Sequence, residues 1–300
     1  MSSEIMLERV ESIMKSLLDE VEYNEVTRLF STLSGGKRLR AKLIFKIANT
    51  HEDAPLLSAI VELIHAASLL HDDVIDDATI RRGVASVNAT EDSKTAIMLG
   101  DILYSKGFSS LVAFDKDIAQ CIADSVTALS KGEMMDVVMS ESFNDDADLY
   151  LEMLYFKTAT LIEAAAKSAA ILEGKDASSY ALYGKNLGLS FQIIDDILDI
   201  VSDTATLGKP ALHDYVEGKC TLPYIYLYHD LNEQEKQKLK SLHKKELSSQ
   251  ESLWIKEKMN EHKSIERSFA LAQKLSNDAI AAVDDADLKV IIETMMKRSF

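Results

Sequence analysis

The 300-residue chain has few residues that redirect a backbone: only 3 prolines and 11 glycines. A fold with many strands needs many tight turns, and such turns rely on glycine and proline. The shortage therefore predicts an all-α protein of long helices joined by short connections. The strict alternation of apolar and polar residues that indicates strands is also missing.

Cysteines and long apolar runs are scarce as well. The two cysteines, Cys121 and Cys220, match no metal-binding or redox spacing and are too few for a disulfide scaffold. We therefore expect a reducing compartment. No run of about 18 apolar residues is present, and the first residues predict an amphipathic helix and not a signal peptide. We expect a cytoplasmic protein without stable membrane insertion.

Basic residues are outnumbered, because 33 Lys and Arg face 49 Asp and Glu, a net charge of −16. This balance argues against a general affinity for nucleic acid or for anionic membranes, but it leaves room for a local basic pocket that binds a small anion. With 47% hydrophobic and 27% charged residues, the composition is that of a globular chain. Since no linker-like segment interrupts it, the sequence predicts one domain over residues 1–300.

Helical periodicity covers most of the chain. Asp53 and Pro55 form a start signal for a helix that runs into the apolar stretch 61–70. Further helices are predicted near 91–113, 116–140, 146–173 and 177–203. The segment Ser202–Pro223 contains two of the three prolines and two glycines, so it is predicted to be the longest loop. After about residue 230, the Lys- and Glu-rich composition predicts amphipathic surface helices.

Two clusters of aspartate accompany strongly apolar segments. They are Asp72, Asp73, Asp76 and Asp77 after the stretch 61–70, and Asp195, Asp196 and Asp199 within 187–200. Both have the spacing D-D-x-x-D, which places the carboxylates at i and i+4 on one helix face. Like charges at that distance repel by about 1–4 kcal/mol per pair. Raised pKa values, basic partners or divalent cations must offset this repulsion.

A divalent cation explains the repetition best. One cluster alone could be an acidic helix end, but two identical clusters beside apolar helix favour a metal site. Oxygen ligands without nearby Cys or His spacing favour Mg²⁺, which completes its shell with water and phosphate oxygens. The pattern of a Ca²⁺-binding EF-hand loop is absent. The clusters therefore suit a diphosphate that is bound together with Mg²⁺.

A diphosphate site also needs cations from the protein. In the segment Leu33–Arg40, two glycines precede three cations. The glycines would let the backbone approach an anion at a helix start. The spacing is not that of a P-loop, and a plain loop-to-helix boundary explains this segment equally well. The other candidates are Arg81, Arg82, Lys157, Lys209, Lys219 and His65. By itself, His65 is more typical of a core histidine.

Six segments occur together in a characteristic order: GGKRLR, HAASLLHDDVIDDATIRRG, GEMMD, KTATL, FQIIDDILDI and LGKPALHDYVEGKCTLP. They span residues 35–223, and in them the chain resembles the trans-polyprenyl diphosphate synthase family. The resemblance implies a bundle of long, mostly antiparallel helices around a deep central cavity, of the isoprenoid synthase type, in a homodimer. It also implies condensation of an allylic diphosphate with isopentenyl diphosphate, assisted by about three Mg²⁺ ions per active site.

The resemblance implies a role for each residue that matches a family motif. Mg²⁺ on the allylic diphosphate would be held by Asp72, Asp73, Asp76, Asp195 and Asp199. The same diphosphate would be bound by Arg81, Lys157, Lys209 and Lys219. Isopentenyl diphosphate would be bound by Lys37, Arg40, His65 and Arg82. The reacting centre would be lined by Thr158 and Gln192. The chain departs from the family at two positions, where Ala41 replaces a frequent proline and Leu212 replaces a common glycine. Because of the second change, the resemblance does not determine the shape of the loop that contains Lys209 and Lys219.

Product length is suggested by the residues before the first cluster. In the family, the fifth and fourth residues before this motif shape the cavity floor, and here they are Ala67 and Ser68. Small side chains leave room for a growing chain, which predicts a product of about C30–C45, with octaprenyl as the central value. Helix geometry puts Ser68 in line with Asp72, whereas Ala67 lies off that line. A shorter farnesyl or geranylgeranyl product, or small residues that only allow tight helix packing, are the alternatives.

Three other functions compete with this interpretation. A terpene cyclase also ionises diphosphates with aspartate-rich helices, but it has no need for the basic segment Leu33–Arg40 or for both Arg81 and Arg82. A non-catalytic subunit of a heteromeric synthase would be expected to have lost an acidic motif, and both are intact. A plain metal-binding or scaffolding protein does not explain the basic residues.

Overall fold

The computed structural model describes residues 3–33, 36–49, 51–81, 83–201 and 211–297, and the side chains from residue 5 onward. Almost every regular element in these ranges is helical, which confirms the predicted all-α class. The helices are α1 (Ser3–Asp19), α2 (Asn24–Thr32), α3 (Leu39–Ala48), α4 (Ala54–Ile75), α5 (Val87–Thr90), α6 (Ser93–Ser110), α7 (Lys116–Met139), α8 (Ala147–Leu154), α9 (Thr160–Leu172), α10 (Ala177–Val201), α11 (His213–Val216), α12 (Leu222–Asp230), α13 (Glu233–Leu242), α14 (Ser249–Glu261), α15 (Ser264–Ala282) and α16 (Ala286–Met296).

The described part of the chain includes a small hairpin that the sequence did not predict. Strand β1 (Ile80–Arg81) pairs antiparallel with β2 (Val84–Ala85) just after the first aspartate cluster. Gly83 has a positive φ of 79°, a conformation that glycine adopts without steric cost. Two-residue strands are too short to show an alternating pattern, so periodicity could not reveal them.

The prediction of a long loop at 202–223 is wrong in its second half. Residues 202–210, which include Lys209, lie outside the described residues. Beyond them the chain forms α11 and then begins α12 before Pro223. Leu212 precedes α11 with a φ of 63°, and its N–H donates to the carbonyl of Asp199 at 2.9 Å. This hydrogen bond between residues 13 apart holds the turn at Leu212 in position, and no local sequence pattern predicts it.

The chain divides into two compact units. Unit 1 contains residues 1–126 and 164–181, and unit 2 contains residues 127–163 and 182–300. The boundaries fall inside α7, α9 and α10, so no loop marks them in the sequence. The single domain over residues 1–300 stays a prediction.

Unit 1 is organised around α4, whose sequence is apolar on nearly every face, as expected of a buried helix. One cluster of buried apolar side chains joins α4 to α1 and α6, and it includes Met14, Ala67 and Leu103. Helix α4 has the length and composition of a membrane span, but 72% of its apolar window is buried inside the protein. A core helix of a folded protein has the same properties.

In unit 2 the second half of α10 is largely buried, with Ile193, Ile194 and Ile200 in the interior. The ring of Tyr215 on α11 stacks on that of Tyr224 on α12, with centroids 4.2 Å apart. The outer helices α13 and α14 each begin with a capping box, in which side chain and backbone satisfy each other's polar groups. They match the amphipathic helices predicted after residue 230.

Candidate active site

The first aspartate cluster lies at the carboxyl end of α4 in unit 1. Asp72 and Asp73 lie in the last turn, and Asp76 follows the last helical residue as its C-cap. A helix carboxyl end carries a partial negative charge, so carboxylates are unfavourable there unless cations are near. Asp72 is half-buried and Asp76 is exposed. The position thus calls for a positive partner, as the spacing of the carboxylates alone had indicated.

Asp73 differs from its neighbours because the protein supplies its cation. It is 4% exposed, and Arg81 Nε donates a hydrogen bond of 2.5 Å to its carboxylate. The hairpin β1–β2 carries Arg81 back to the end of α4. Arg81 was predicted to bind the allylic diphosphate directly, and the structure places it against Asp73. Its neighbour Arg82 lies outside the described residues.

The basic segment of unit 1 leads into α3, where a helix start was expected. Lys37 is exposed, and Arg40 and His65 are partly buried. Here the structure adds Glu62, a buried carboxylate of α4 that accepts a 3.0 Å bond from the backbone N–H of Ala41. The same carboxylate pairs with Arg38 at 3.2 Å. Glu62 therefore fixes the first turn of α3. In the sequence, the only indication that Glu62 has a special role is its position inside an apolar run.

The second aspartate cluster lies on α10 in unit 2. Asp196 and Asp199 are 5% and 3% exposed, and Asp195 is half-buried. The hydroxyl of Tyr150 and, at 2.9 Å, the amide nitrogen of Gln192 donate to the Asp196 carboxylate. Burial and, after it, the neighbouring Asp214 carboxylate raise the pKa of Asp196 to about 8, although the two hydrogen bonds act to lower it. Asp196 was not among the predicted metal ligands, and these contacts explain what holds it.

Asp199 is tied to the segment that follows α10. Its carboxylate accepts from the backbone N–H of Asp214 at 3.2 Å, and its carbonyl accepts from Leu212. The second acidic cluster and the start of α11 therefore form one local unit. Asp214 had no sequence signal, because it lies 15 residues beyond Asp199 and outside the D-D-x-x-D spacing.

The donor set fits Mg²⁺ bound together with a diphosphate. Among the described residues, no group of three or more His, Cys, Asp or Glu side chains is arranged to hold a metal ion by itself. Mg²⁺ typically takes one or two protein carboxylates and fills its remaining positions with water and phosphate oxygens. The two clusters offer carboxylate pairs of that kind, without sulfur ligands.

Lys157 and Thr158 lie in a break of the predicted helix 146–173. Residues Tyr155–Ala159 form a π-helical turn between α8 and α9, so the prediction of one regular α-helix is wrong here. Two glycines of neighbouring helices lie against this turn. A Cβ on Gly132 would lie 2.2 Å from the backbone nitrogen of Lys157, and one on Gly188 would lie 2.5 Å from Cα of Ala159. Two backbones thus press on this turn, and π-turns often mark functional sites.

A pocket of about 130 Å³ opens beside this turn in unit 2. It brings together four predicted site residues, Lys157, Thr158, Gln192 and Lys219, with the buried Asp196. Thr158 donates to the amide oxygen of Gln192 at 3.1 Å, which fixes the orientation of that amide because its nitrogen already bonds Asp196. Sequence reasoning missed the other polar members, which are Asp136, Ser140, Asn144, Tyr150, Asp214 and Thr221.

Both described cations of this pocket have carboxylate partners. Lys157 Nζ lies 2.5 Å from Asp136 and 2.8 Å from Glu133. Burial opposes the charge of Lys157, but Asp136 and Glu133 outweigh it, so its pKa is raised above the ordinary value. Lys219 Nζ lies 2.9 Å from Glu217. The acids of the segment GEMMD, for which the sequence predicted no role, are the partners of Lys157.

The two residues expected to set product length are buried in unit 1. Ala67 is 0% exposed and belongs to the apolar cluster shared by α1, α4 and α6. Ser68 is 5% exposed, and its hydroxyl donates to the carbonyl of His65 at 2.9 Å. Tight helix packing explains Ala67 as well as a cavity floor does, so both roles stay predictions.

Comparison with known proteins identifies the class. The polyprenyl synthetase family pattern matches residues 23–260. The chain therefore belongs to the polyprenyl synthetase family, and it is a transferase of prenyl groups.

Three similar proteins illustrate the range of the family. A short chain isoprenyl diphosphate synthase of Methanothermobacter thermautotrophicus is 34% identical over 252 residues, 80% of this chain and 77% of that protein. The crystal structure of octaprenyl pyrophosphate synthase from Helicobacter pylori shares 41% identity, with a TM-score of 0.93 over 99% of this chain and 100% of that one. A polyprenyl synthase from Caulobacter crescentus CB15, complexed with calcium and isoprenyl diphosphate, shares 27% identity, with a TM-score of 0.89 over 99% and 95% of the two chains.

Proposed function

We propose that the protein condenses isopentenyl diphosphate with an allylic diphosphate to make a medium- or long-chain trans-polyprenyl diphosphate. The observation that carries this proposal is the pocket of unit 2, where Lys157, Thr158, Gln192 and Lys219 lie together beside the second acidic cluster. Two of these residues are cations suited to a diphosphate, and two are neutral polar groups suited to the reacting centre. The Caulobacter crescentus relative is complexed with calcium and isoprenyl diphosphate, which supports the ligand class.

Metal binding is assigned to the aspartates. Asp72, Asp76, Asp195 and Asp199 would hold Mg²⁺, whose bound form supplies positive charge to a diphosphate leaving group. Asp73 contributes by holding Arg81 at the end of α4. The calcium of the Caulobacter crescentus relative supports a divalent ion at such a site. Lys209 and Arg82 keep the roles that the resemblance implies, as residues for the allylic and the isopentenyl diphosphate.

The chemistry follows from charge. Breaking the allylic C–O bond leaves negative charge on the diphosphate, and fixed cations such as Lys157 and Lys219 stabilise that charge as it develops. The double bond of isopentenyl diphosphate, held by Lys37, Arg40 and His65, then attacks the allylic carbon at close range. Loss of a proton to the departing diphosphate completes a chain five carbons longer. No protein nucleophile is required.

For product length we propose about C30–C45, with octaprenyl as the central value. The name and high similarity of the Helicobacter pylori relative support the octaprenyl assignment. A short-chain product is the second candidate, because the Methanothermobacter thermautotrophicus relative is named a short chain synthase. Small residues at Ala67 and Ser68 favour the longer product.

We also propose a homodimer. Helix α7 carries three exposed apolar side chains in unit 2, Met134, Val137 and Val138, which are 70%, 42% and 69% exposed. Helix α6 carries two more in unit 1, Ile97 and Met98. Exposed apolar groups on one helix face are typical of a surface that another chain covers.

The direct test is incubation of the pure protein with farnesyl diphosphate, isopentenyl diphosphate and Mg²⁺, followed by mass spectrometry of the products. We expect a product near octaprenyl diphosphate and no elongation after chelation of the metal. A folded protein that elongates nothing would contradict the proposed function. A product that stops at C15 or C20 would instead support the short-chain alternative.

A further inference from the structure

The segment GEMMD, residues 132–136 of α7, lies against Lys157. Gly132 lets α7 approach the π-turn, because any side chain there would meet the backbone of Lys157. One residue later, Glu133 lies 2.8 Å from Lys157 Nζ, and one turn later Asp136 lies 2.5 Å from it. Both acids are buried, 7% and 6% exposed. Two carboxylates thus share a single cation at the pocket where the diphosphate is expected.

This pairing leaves the lysine with a surplus of negative charge around it. One ammonium group neutralises one carboxylate, so the triad carries a net charge of about −1 when all three groups are ionised. A diphosphate that binds Lys157 must then overcome repulsion from the second carboxylate. Such repulsion is substantial, because buried charges are screened only weakly. A lysine that served anion binding alone would not need two acids.

Lys219, the other described cation of the pocket, also has a carboxylate partner. Its Nζ lies 2.9 Å from the carboxylate of Glu217, which also contacts His213 at 2.9 Å. The positive charge that the pocket offers is therefore reduced at both lysines. For a reaction that releases diphosphate at every elongation cycle, weaker retention of the product anion speeds the next cycle.

We infer that Glu133 and Asp136 are positioning residues that fix Lys157 and lower the affinity of this pocket for the diphosphate group, which eases release of inorganic diphosphate. The inference rests on the proposed function and concerns the affinity of the pocket for the diphosphate leaving group. Neither acid touches substrate; each acts through Lys157.

The test compares Glu133→Gln with the wild type by calorimetric titration of inorganic diphosphate at fixed Mg²⁺. Glutamine has the same shape and lacks the charge, so we expect inorganic diphosphate to bind about 3- to 30-fold more tightly. Steady-state kinetics should show a lower KM for farnesyl diphosphate together with a lower kcat, because release becomes slower. Asp136→Asn should shift both quantities in the same direction.

The matched control is Glu152→Gln. Glu152 joins α8 to Lys131 on α7 at 3.2 Å, but both side chains are about half exposed. The substitution removes the same charge from a surface pair between α7 and α8, so diphosphate affinity should stay within about twofold of the wild type because solvent screens that charge. Thermal melting of every variant shows that the comparison is made on folded protein.

A purely structural role for Glu133 predicts the opposite result. Loss of the pair would then leave Lys157 misplaced, and the diphosphate would bind more weakly or equally well in Glu133→Gln. Either outcome overturns the inference, as would a wild-type protein that binds no inorganic diphosphate. A wild type that binds diphosphate but elongates nothing refutes the proposed function, and the affinity of Glu133→Gln still decides the inference.

Discussion

At the scale of single residues, the aspartates of the first cluster are not equivalent. Asp73 is buried and bonded to Arg81, whereas Asp72 is half-buried and Asp76 exposed. The D-D-x-x-D spacing alone treats all of them as metal ligands. The structure gives Asp73 a second task, since it holds the hairpin that carries Arg81. Asp72 is therefore the clearest residue for a test of metal binding.

We expect Asp72→Asn to lower kcat/KM by about 100-fold or more, because a charge that stabilises the leaving group through Mg²⁺ is lost. The melting temperature should change little, since the substitution relieves repulsion at a helix carboxyl end. Enzyme assays over a range of Mg²⁺ concentrations, together with thermal melting, measure both effects.

Asp77→Asn is the control for this variant. Asp77 has a φ of 50°, which asparagine tolerates, and it is exposed. It lies outside the D-D-x-x-D spacing, so its activity should stay near that of the wild type. A large fall in the melting temperature of Asp72→Asn would instead assign Asp72 a structural role.

Product length is a second matter of single residues. We expect Ala67→Phe to shorten the product, because a larger side chain would fill the cavity floor, and mass spectrometry of the products measures this. Since Ala67 is fully buried, the variant should also lose about 1–3 kcal/mol of stability through overpacking. Ala66→Phe, turned by about 100° on the same helix, should leave product length unchanged. An unchanged product in Ala67→Phe would remove this residue from the floor.

At the scale of elements, the π-turn Tyr155–Ala159 positions two predicted site residues. Lys157 and Thr158 would occupy different positions in a regular helix, because a π-turn contains an extra residue. The glycines of α7 and α10 allow the close approach on both sides. The geometry of the pocket therefore depends on residues that have no polar side chain.

We expect Gly188→Ala to reduce activity at least tenfold and to cost about 1–3 kcal/mol, because the new Cβ would meet the backbone of the π-turn. Kinetics and chemical denaturation measure the two losses. Gly107→Ala is the control, since its Cβ would meet the flexible side chain of Ile64 at 3.0 Å in unit 1. Equal losses in both variants would argue against a special role for the turn.

At the scale of the whole molecule, the exposed apolar face of α7 has a consequence for assembly. We expect Met134→Glu combined with Val138→Glu to convert a dimer into a monomer, because two charges would have to be buried at the contact. Light scattering after size-exclusion chromatography measures the mass. Leu253→Glu on α14, at another exposed apolar position, should leave the mass unchanged. A wild-type monomer would contradict the proposed homodimer.

Much about this protein was determined by its sequence alone. The all-α class and the positions of the long helices follow from periodicity and from the shortage of glycine and proline, since these are local properties. The two D-D-x-x-D clusters indicated the chemistry for the same reason, because i and i+4 carboxylates share a helix face in any fold. The family followed from the order of six short segments.

Only the tertiary structure decided which partners these residues have. Asp196 meets Tyr150 from 46 residues away, and Lys157 meets Asp136 from 21 residues away. Periodicity places a residue on a face of its own helix but does not say which other helix covers that face. The close approach of backbones to the π-turn at Gly132 and Gly188, and the burial of Ala67 where α1 and α6 pack on α4, are further examples. Such contacts join segments far apart in the chain, so they exist only once the helices have packed.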